Sequence, residues 1–170
     1  MKHKNLWLLA GPPGSGKSTW ARKWVENKDD AVIVSRDEIR FSLLKPEDDY
    51  FSREDEVYNT FIQRAQTMLN SPYIKDVFVD ATHLSPKARK KMLNALVIPD
   101  RANVNCIYFS APLETCIQRN SKRIGRALVP ETALRNLYSS YSPPTHREGF
   151  DHLYEVDEAG NYREVNENNV

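Results

Sequence analysis

Residues 11–18 constrain the fold of this chain more than any other segment. They read Gly-Pro-Pro-Gly-Ser-Gly-Lys-Ser and match G-x-x-x-x-G-K-[ST], the spacing of the P-loop that holds nucleoside triphosphate phosphates. An apolar run at residues 6–10 leads into this loop, and a stretch compatible with a helix continues from Thr19. A chance glycine turn does not explain why strand, spacing, Lys17 and Ser18 occur together. This order of elements predicts an α/β protein with a parallel sheet.

Each part of the P-loop has a physical role in holding phosphate. Its glycines let backbone N–H groups turn inward around an anion, and the following helix adds partial positive charge at its N-terminus. Lys17 is expected to reach the β- and γ-phosphates, and Ser18 to ligate Mg²⁺. The predicted cofactors are therefore ATP or GTP together with Mg²⁺. The residues predicted to contact the nucleotide are Gly11, Pro13, Gly14, Ser15, Gly16, Lys17, Ser18 and Thr19.

Length and composition indicate a single folded unit. The chain has 170 residues, of which 40% are hydrophobic and 28% charged, as in ordinary soluble domains. We expect a domain at residues 1–157 and a flexible Asn/Glu-rich tail at residues 158–170. No apolar run approaches the ~20 residues of a membrane span, and the stretch after the basic N-terminus is too short for a signal peptide. The expected location is cytoplasmic, without a membrane partner, and the oligomeric state stays open.

The chain has two cysteines, Cys106 and Cys116, in a predicted strand and a predicted helix. Buried free thiols are the expectation for such positions, and a reducing cytosol is compatible with them. Two cysteines alone do not make a zinc site.

Short apolar runs alternate along the chain with segments of helical periodicity, which is the pattern of a parallel sheet flanked by helices. Trp20 and Trp24 lie on one apolar stripe of the first predicted helix, and core packing explains this stripe better than a base-stacking platform does. The predicted fold class is α/β with a five-stranded parallel sheet. Its strands are expected near residues 5–10, 31–34, 77–80, 103–109 and 153–156.

A charged segment follows the second predicted strand, where residues 35–40 read Ser-Arg-Asp-Glu-Ile-Arg. In open α/β sheets ligands bind beyond the carboxyl ends of the strands, so this segment is expected to face the same crevice as the P-loop. Asp37 is a candidate general base for an acceptor hydroxyl, and Arg40 is a candidate ligand of an acceptor phosphate or carboxylate. A capping box of Ser35 with Glu38, next to an ordinary i,i+3 ion pair, is the alternative. The P-loop upstream favours the catalytic interpretation.

Asp80 closes the third predicted strand, which is where P-loop proteins place an acidic partner. We expect it to hold Mg²⁺ through water or to orient an arginine of the acceptor site, and a simple turn residue is the alternative. His83 follows in the next loop and is expected to be structural or solvated rather than catalytic.

The charges are unevenly distributed, although the net charge is only +1. Between residues 85 and 126 there are nine Lys and Arg residues against two acidic ones, and acidic segments lie on both sides. This pattern suits a localised polyanion site, although solvated helix faces have the same composition. The densest part, residues 119–126, is a candidate lid over the nucleotide, and a solvated turn is the alternative. Arg119 and Arg123 share a face of this lid and are predicted to contact the nucleotide.

Together these segments resemble the phage-type polynucleotide 5′-hydroxyl kinase, within the broader group of small P-loop kinases. The similarity runs from about residue 5 to residue 141. Two features depart from the phage-type pattern: Asp80-Ala81-Thr82 places the aspartate one position further from the threonine, and no D-x-D-G-T phosphatase motif is present. Asp80-Ala81-Thr82 and the closing Pro143-Pro144…Glu148-Gly149-Phe150-Asp151 look more like the broader group, which also phosphorylates small molecules and tRNA-linked residues. The similar motifs are the P-loop with its Thr-Trp-Ala-Arg continuation, Arg36-Asp37-x-x-Arg40, Leu84-x-Pro86-x-x-Arg89 and Arg119-Asn120-Ser121-Lys122-Arg123.

The resemblance implies a five-stranded P-loop kinase fold with a basic lid. It implies that Asp37 deprotonates the attacking hydroxyl, that Arg40 holds a phosphate of the acceptor strand and that Arg123 contacts the ATP phosphates. The expected activity is ATP-dependent phosphorylation of a 5′-hydroxyl of RNA or DNA, with a nucleic acid 5′ end as partner. The alternatives are a kinase of a small-molecule alcohol (a metabolite, a nucleoside or an antibiotic-like compound) and a nucleotide-gated binding module. The candidate catalytic residues are Lys17, Asp37 and Arg123, and the candidate substrate-binding residues are Arg40, Asp80 and Arg89.

Overall fold

The structure is a computed structural model that describes residues 3–167. Within these residues the chain alternates between six strands and six α-helices. The strands are β1 (Asn5–Ala10), β2 (Ala31–Ser35), β3 (Asp76–Asp80), β4 (Asn103–Phe109), β5 (His152–Val156) and β6 (Tyr162–Glu164). The helices are α1 (Lys17–Val25), α2 (Arg36–Leu43), α3 (Glu54–Asn70), α4 (Pro86–Asn94), α5 (Leu113–Ser121) and α6 (Glu131–Ser139), with 3₁₀ turns at Gly125–Ala127 and His146–Glu148.

All six strands form one sheet in the order β2-β3-β1-β4-β5-β6. The first five are parallel, and β6 pairs antiparallel with β5. The α/β fold class is therefore confirmed, but the strand count of five is wrong.

The sixth strand comes from a hairpin with little apolar signal. The side chain of Asp157 accepts the backbone N–H groups of Ala159 and Asn161, each at 2.9 Å, and this closes the turn between β5 and β6. Tyr162 then stacks on Tyr154, with ring centroids 4.6 Å apart. Within the segment predicted as a flexible tail, Tyr162–Glu164 are thus part of the sheet, while residues 168–170 lie outside the described residues.

The two faces of the sheet carry separate cores, because successive strand residues point in opposite directions. Leu6 and Leu8 of β1 pack with the cluster that includes apolar residues of α2, α3 and α4, whereas Leu9 packs with the α1 side. Trp24 lies in that second cluster, with its ring 4.8 Å from Phe78. The aromatic stripe of α1 therefore packs in the core, as its periodicity predicts.

Both cysteines are buried free thiols, Cys106 in β4 and Cys116 in α5, as expected from their positions. Burial raises the pKa of both thiols, so they stay protonated at neutral pH. Among residues 3–167, no helix combines the length and the apolar content that crossing a bilayer would need.

The register of the sheet brings three loops together. Asp80 at the end of β3 is opposite Leu9 of β1 on one side and opposite Ser35 of β2 on the other. The P-loop after β1, the start of α2 after β2 and the turn after β3 consequently leave the sheet at one edge. This edge positions the candidate site.

Candidate active site

The P-loop connects β1 to α1 through glycines that accept positive φ angles. Gly14 has φ 78° and Gly16 has φ 101°, both in the left-handed region. A Cβ atom on Gly14 would lie 2.4 Å from the carbonyl oxygen of Cys116 in α5, so no side chain is tolerated at this position without a shift of backbone. The N–H of Gly11 donates to the carbonyl of Thr82 at 2.9 Å, which ties the loop to the end of β3.

Lys17 is folded over the P-loop from the first turn of α1. Its side chain is nearly buried, and its Nζ donates to the carbonyl oxygens of Gly11 at 2.7 Å and Pro12 at 3.0 Å. Burial lowers the pKa of Lys17, and the positive charge of Arg123 acts in the same direction, while Asp80 and Asp37 oppose it. A phosphate bound in this loop would place negative charge beside the buried ammonium group of Lys17 and favour its charged form.

Ser18 and Asp80 form the second part of the nucleotide side. The hydroxyl of Ser18 donates to Oδ2 of Asp80 at 2.6 Å. Asp80 is buried, and burial raises the pKa of its carboxyl group, against the effects of Lys17 and the Ser18 hydrogen bond. The one-residue offset from the phage-type pattern therefore does not separate Asp80 from the P-loop, because Asp80 is itself the last residue of β3.

These residues fit a nucleotide with Mg²⁺. The hydroxyl of Ser15 is buried in the P-loop without a hydrogen-bond partner, as expected where a ligand completes the loop. A buried carboxylate beside a serine hydroxyl is an oxygen donor set of the kind Mg²⁺ prefers. No three His, Cys, Asp or Glu side chains of residues 3–167 converge as a metal cluster, so phosphate and water oxygens would have to complete the coordination of Mg²⁺.

Asp37 lies in the first turn of α2, beyond the end of β2. Ser35 caps this helix by accepting the N–H of Glu38 at 3.2 Å, so half of the predicted capping box is present. The Asp37 side chain is 58% exposed, and its charge influences both Lys17 and Asp80. The cap at Ser35 fixes where α2 begins and so the direction in which Asp37 faces. The capping interpretation and the catalytic interpretation of this segment are therefore compatible.

The carboxylate of Asp37 is held through one oxygen only. Its Oδ1 accepts hydrogen bonds from Nη1 of Arg40 and from the hydroxyl of Tyr50, the latter at 2.9 Å. Its Oδ2 has no hydrogen-bond partner within residues 3–167 and remains available to a proton donor.

Arg40, predicted to bind the acceptor, is buried among side chains of the protein. It is 4% exposed, and its Nη2 donates to both carboxylate oxygens of Glu54, at 2.7 and 3.0 Å. Its Nη1 serves Asp37 and the Tyr50 hydroxyl, the latter at 2.9 Å, and its Nε is buried without a partner. Burial acts to lower the pKa of Arg40, but the hydrogen-bonded Glu54 outweighs it and the pKa is raised. All four terminal N–H groups are thus occupied, and none is left for an acceptor phosphate.

Tyr50 is a site residue that the sequence did not reveal, because it lies in an acidic segment predicted only as a loop. Its ring lies under the guanidinium of Arg40, with Cζ 4.4 Å from the ring centroid. Burial, reinforced by the charge of Asp37, raises the pKa of Tyr50 to about 12, so its hydroxyl stays protonated and donates to Asp37. The only signal in the sequence was an aromatic residue among carboxylates.

The first lid arginine, Arg119, contacts the P-loop from the end of α5. Its Nη1 donates to the carbonyl oxygens of Ser15 at 3.2 Å and Gly14 at 3.5 Å, and its Nη2 donates to the carbonyl of Glu158 at 2.6 Å. Arg119, which was predicted to contact the nucleotide, therefore stabilises the backbone of the P-loop.

The rest of the lid spans the nucleotide and acceptor sides. Arg123 makes no side-chain hydrogen bond within residues 3–167, and its charge lowers the pKa of Lys17, which places it near the phosphate loop. Arg126 contacts the carbonyl oxygens of Lys45, Pro46 and Asp48 at 2.8, 2.8 and 2.9 Å. The lid is therefore fastened to the loop that carries Tyr50, rather than solvated on all sides.

Arg89, expected to bind substrate, is instead buried beneath the site. It is 1% exposed and forms a bidentate pair with Glu148, at 2.7 and 3.0 Å. Its Nη1 donates to the carbonyl oxygens of His83 and Ser142. In this structure Arg89 joins the turn after β3 to the segment after α6 and is almost wholly buried.

His83 is structural, as expected. It is buried, and its Nδ1 lies 2.6 Å from the carbonyl oxygen of Leu9, to which it donates. Burial lowers the pKa of His83 to about 4, so the ring is neutral at physiological pH.

The sequence model of the AAA domain family matches residues 6–144, from β1 through α6. The chain belongs to this family. The match includes the P-loop, Asp37, Asp80 and the lid, whereas Glu148, the partner of Arg89, and Glu158, which Arg119 contacts, lie beyond it.

Solved structures share the fold of this AAA domain. A chain of the Pnkp1/Rnl/Hen1 RNA repair complex is 26% identical with a TM-score of 0.66, and the match covers 82% of this chain but only 44% of that one. A candidate kinase from Chloroflexus aurantiacus is 19% identical, with a TM-score of 0.67 and coverage of 92% and 86%. A gluconokinase from Sinorhizobium meliloti is 19% identical, with a TM-score of 0.58 and coverage of 94% and 85%. The fold is that of the small P-loop kinases.

Proposed function

We propose that this chain is an ATP- and Mg²⁺-dependent kinase that transfers the γ-phosphate to a 5′-hydroxyl of RNA or DNA. The observation that carries the proposal is the meeting, at one sheet edge, of Lys17, Ser18 and Asp80 with the half-exposed carboxylate of Asp37. The first group suits the phosphates of a nucleotide, and the second suits an alcohol that must lose a proton. The similarity to a chain of an RNA repair complex supports a nucleic acid acceptor.

On the nucleotide side, the residues would act by position and charge. Lys17 would exchange its bonds to Gly11 and Pro12 for oxygens of the β- and γ-phosphates, and the P-loop N–H groups would hold the same phosphates. Ser18 and Asp80 would hold Mg²⁺, Asp80 through water. When bound, Mg²⁺ neutralises charge on the phosphates as the phosphoryl group transfers. Arg123 would add positive charge from the lid, a contribution of several kcal/mol in sites of this type.

On the acceptor side, Asp37 would act as the general base. Its Oδ2 takes the proton of the acceptor hydroxyl while that oxygen bonds to the γ-phosphorus, and the bond to the bridging oxygen of ADP breaks. Arg40 and Tyr50 hold Oδ1 and so direct Oδ2 outward. In this proposal Arg40 is a positioning residue, and not the ligand of the acceptor phosphate that the resemblance implies.

A kinase of a small-molecule alcohol is the second candidate, and one observation favours it. The gluconokinase is matched over 85% of its length, whereas the chain of the RNA repair complex is matched over 44%. A small neutral acceptor would need no charged surface beyond the site, so the two candidates differ in how strongly acceptor binding depends on salt.

The direct test uses γ-labelled ATP with 5′-hydroxyl oligonucleotides, nucleosides, tRNA and sugar alcohols, and Lys17→Ala as the blank. Transfer to oligonucleotides, with a KM that rises steeply with ionic strength, is the expected result. Transfer only to a sugar or nucleoside, with little salt dependence, would establish the second candidate. ATP binding without any labelled product would instead indicate a nucleotide-gated binding module.

A further inference from the structure

A second positively charged surface lies next to the acceptor side, on α4. An open cavity of about 510 Å³ is formed between α3 and α4. Met92 and Arg89 face inward from α4, so the lysines at spacings of three and four residues share the outward face. We call this cavity the lysine groove; its lining residues are Tyr58, Lys87, Lys90, Lys91, Asn94 and Ala95.

The lysines of this groove are not neutralised by the protein. Lys87, Lys90 and Lys91 are exposed, and none of them forms an ion pair within residues 3–167. Like charges one helical turn apart destabilise a helix by about 0.2–0.5 kcal/mol per pair. The three lysines together give α4 an exposed positive face that would attract an anion.

Tyr58 gives the groove its floor and connects it to the acceptor side. Nζ of Lys91 lies 4.6 Å from the centroid of the Tyr58 ring, and Cζ of Arg36 lies 5.2 Å from the same centroid. Arg36 is the residue immediately before Asp37, so its contact with Tyr58 links the groove to the start of α2. The hydroxyl of Tyr58 is buried with no hydrogen-bond partner, so it is the ring of Tyr58 that the cation contacts involve.

The carboxylate of Glu54 is engaged by arginines beside this surface. Glu54, one turn before Tyr58 on α3, binds both Arg36 and Arg40. Arg36 and Arg40 are balanced in charge by Glu54 and Asp37, so the net positive charge of this surface comes from the three lysines. The ring of Tyr58 lies between Lys91 and Arg36.

We propose that the lysine groove binds backbone phosphates of the acceptor strand on the 3′ side of the nucleotide that carries the 5′-hydroxyl. Basic grooves with aromatic side chains are the common means of holding single-stranded nucleic acid without sequence preference. Lysines act on phosphate as point charges, so this groove fixes the path of the strand and reads no bases. The assignment to an acceptor strand rests on the proposed function, but oligonucleotide binding by the groove is testable without it.

The test measures the binding of a single-stranded 5′-hydroxyl oligonucleotide of about 12 nucleotides by fluorescence anisotropy without ATP, over a range of salt. The variant Lys87→Ala/Lys90→Ala/Lys91→Ala is compared with Lys23→Ala/Arg64→Ala/Arg101→Ala, which removes the same charge from exposed positions elsewhere. If three phosphate contacts are lost, the slope of log K against log salt falls by about 2, and Kd rises on the order of 10- to 100-fold near 0.1 M salt. The control variant should stay close to the native protein.

Kinase measurements separate this proposal from the proposed function. With transfer present, KM of the groove variant should rise far more for the oligonucleotide than for a nucleoside 3′-monophosphate, which has no further phosphates. If no 5′-hydroxyl is phosphorylated but the groove variant still loses oligonucleotide binding, the proposed function fails and the groove proposal stands. Equal binding by the groove variant and the control overturns the groove proposal, as does equally effective displacement of the oligonucleotide by poly-glutamate.

Discussion

The two sides of the candidate site are held in different ways. On the donor side, Lys17 and Asp80 are 8% and 5% exposed, and backbone carbonyls and glycine conformations fix the loop around them. On the acceptor side, the side chain of Asp37 is 58% exposed, and side chains from a separate loop and helix, Tyr50 and Glu54, hold it directly or through Arg40.

The two sides therefore differ in how readily single residues can be replaced. Backbone contacts within a short loop leave few ways to change one residue without moving the rest, whereas a network of side chains can be altered one partner at a time. In the reaction proposed above, the nucleotide side would therefore be harder to alter than the acceptor side. The chain of the RNA repair complex and the gluconokinase share the fold that holds both sides.

The largest expected effect is on the acceptor side. Asp37→Asn removes the proton acceptor, and kcat should fall about 10²- to 10⁴-fold, while the Kd for ATP stays near the native value. Stopped assays with labelled ATP and calorimetric ATP titration measure the two quantities. Glu38→Gln, which removes one negative charge from the same helix turn, is the control. Parallel loss of transfer and ATP binding in Asp37→Asn would show that the two sides are not separate.

On the donor side, burial of His83 should make stability depend on pH. The folded pKa of about 4 lies below the ordinary 6.5, so the unfolded chain binds more protons between these values. The contribution of His83 is complete above pH 6.5 and decreases as pH falls toward 4, by about 3 kcal/mol in all.

His83→Asn keeps a donor toward Leu9 and tolerates the positive φ of 43° at this position. Urea unfolding at several pH values should show a flatter dependence for this variant than for the native protein. His152→Asn, at an exposed position, serves as the control. An unchanged slope in His83→Asn would mean that other groups dominate the acid sensitivity of the donor side.

The steric claim about the P-loop has a matched pair of glycines. Gly14→Ala brings a Cβ atom to 2.4 Å from the Cys116 carbonyl, whereas Gly160 has a similar φ of 84° but nothing within 4 Å. Both alanine variants carry the cost of positive φ, so the difference between them reports the clash, about 1–3 kcal/mol. Gly14→Ala alone should also weaken ATP binding. Equal losses in unfolding free energy would refute the close packing of α5 on the loop.

The smallest expected effect tests the network around Asp37. Tyr50→Phe removes one hydrogen bond to Oδ1, worth about 1 kcal/mol, so kcat should fall about fivefold with little change in the Kd for ATP. Tyr73→Phe, at an 80% exposed position, is the control. If kcat of Tyr50→Phe stays at the native value, the hydrogen bond from Tyr50 is not needed to position Asp37. Arg40 would then be sufficient for this role.

The contiguous sequence determined the donor side. Strand, P-loop and helix follow each other within residues 5–25. The glycine spacing, Lys17 and Ser18 are local in sequence, so they could be recognised without knowing the tertiary structure. The end of β3 at Asp80 was predictable for the same reason, since a short apolar run and its last residue fix it. Five of the six strands contain such apolar runs, whereas β6 does not. Tyr162 of β6 is instead held by stacking on the rings of Trp20 and Tyr154, which are distant in sequence.

Tertiary structure alone decided which charged side chains meet. Arg89 lies in a motif that predicted substrate binding, yet it forms a buried ion pair with Glu148, which is 59 residues away in sequence. Arg40 lies at a spacing that pointed to an acceptor, yet Glu54 and Tyr50 occupy its N–H groups. Backbone conformation is set by neighbours in sequence, whereas an arginine pairs with whichever carboxylate the packed sheet and helices bring within reach.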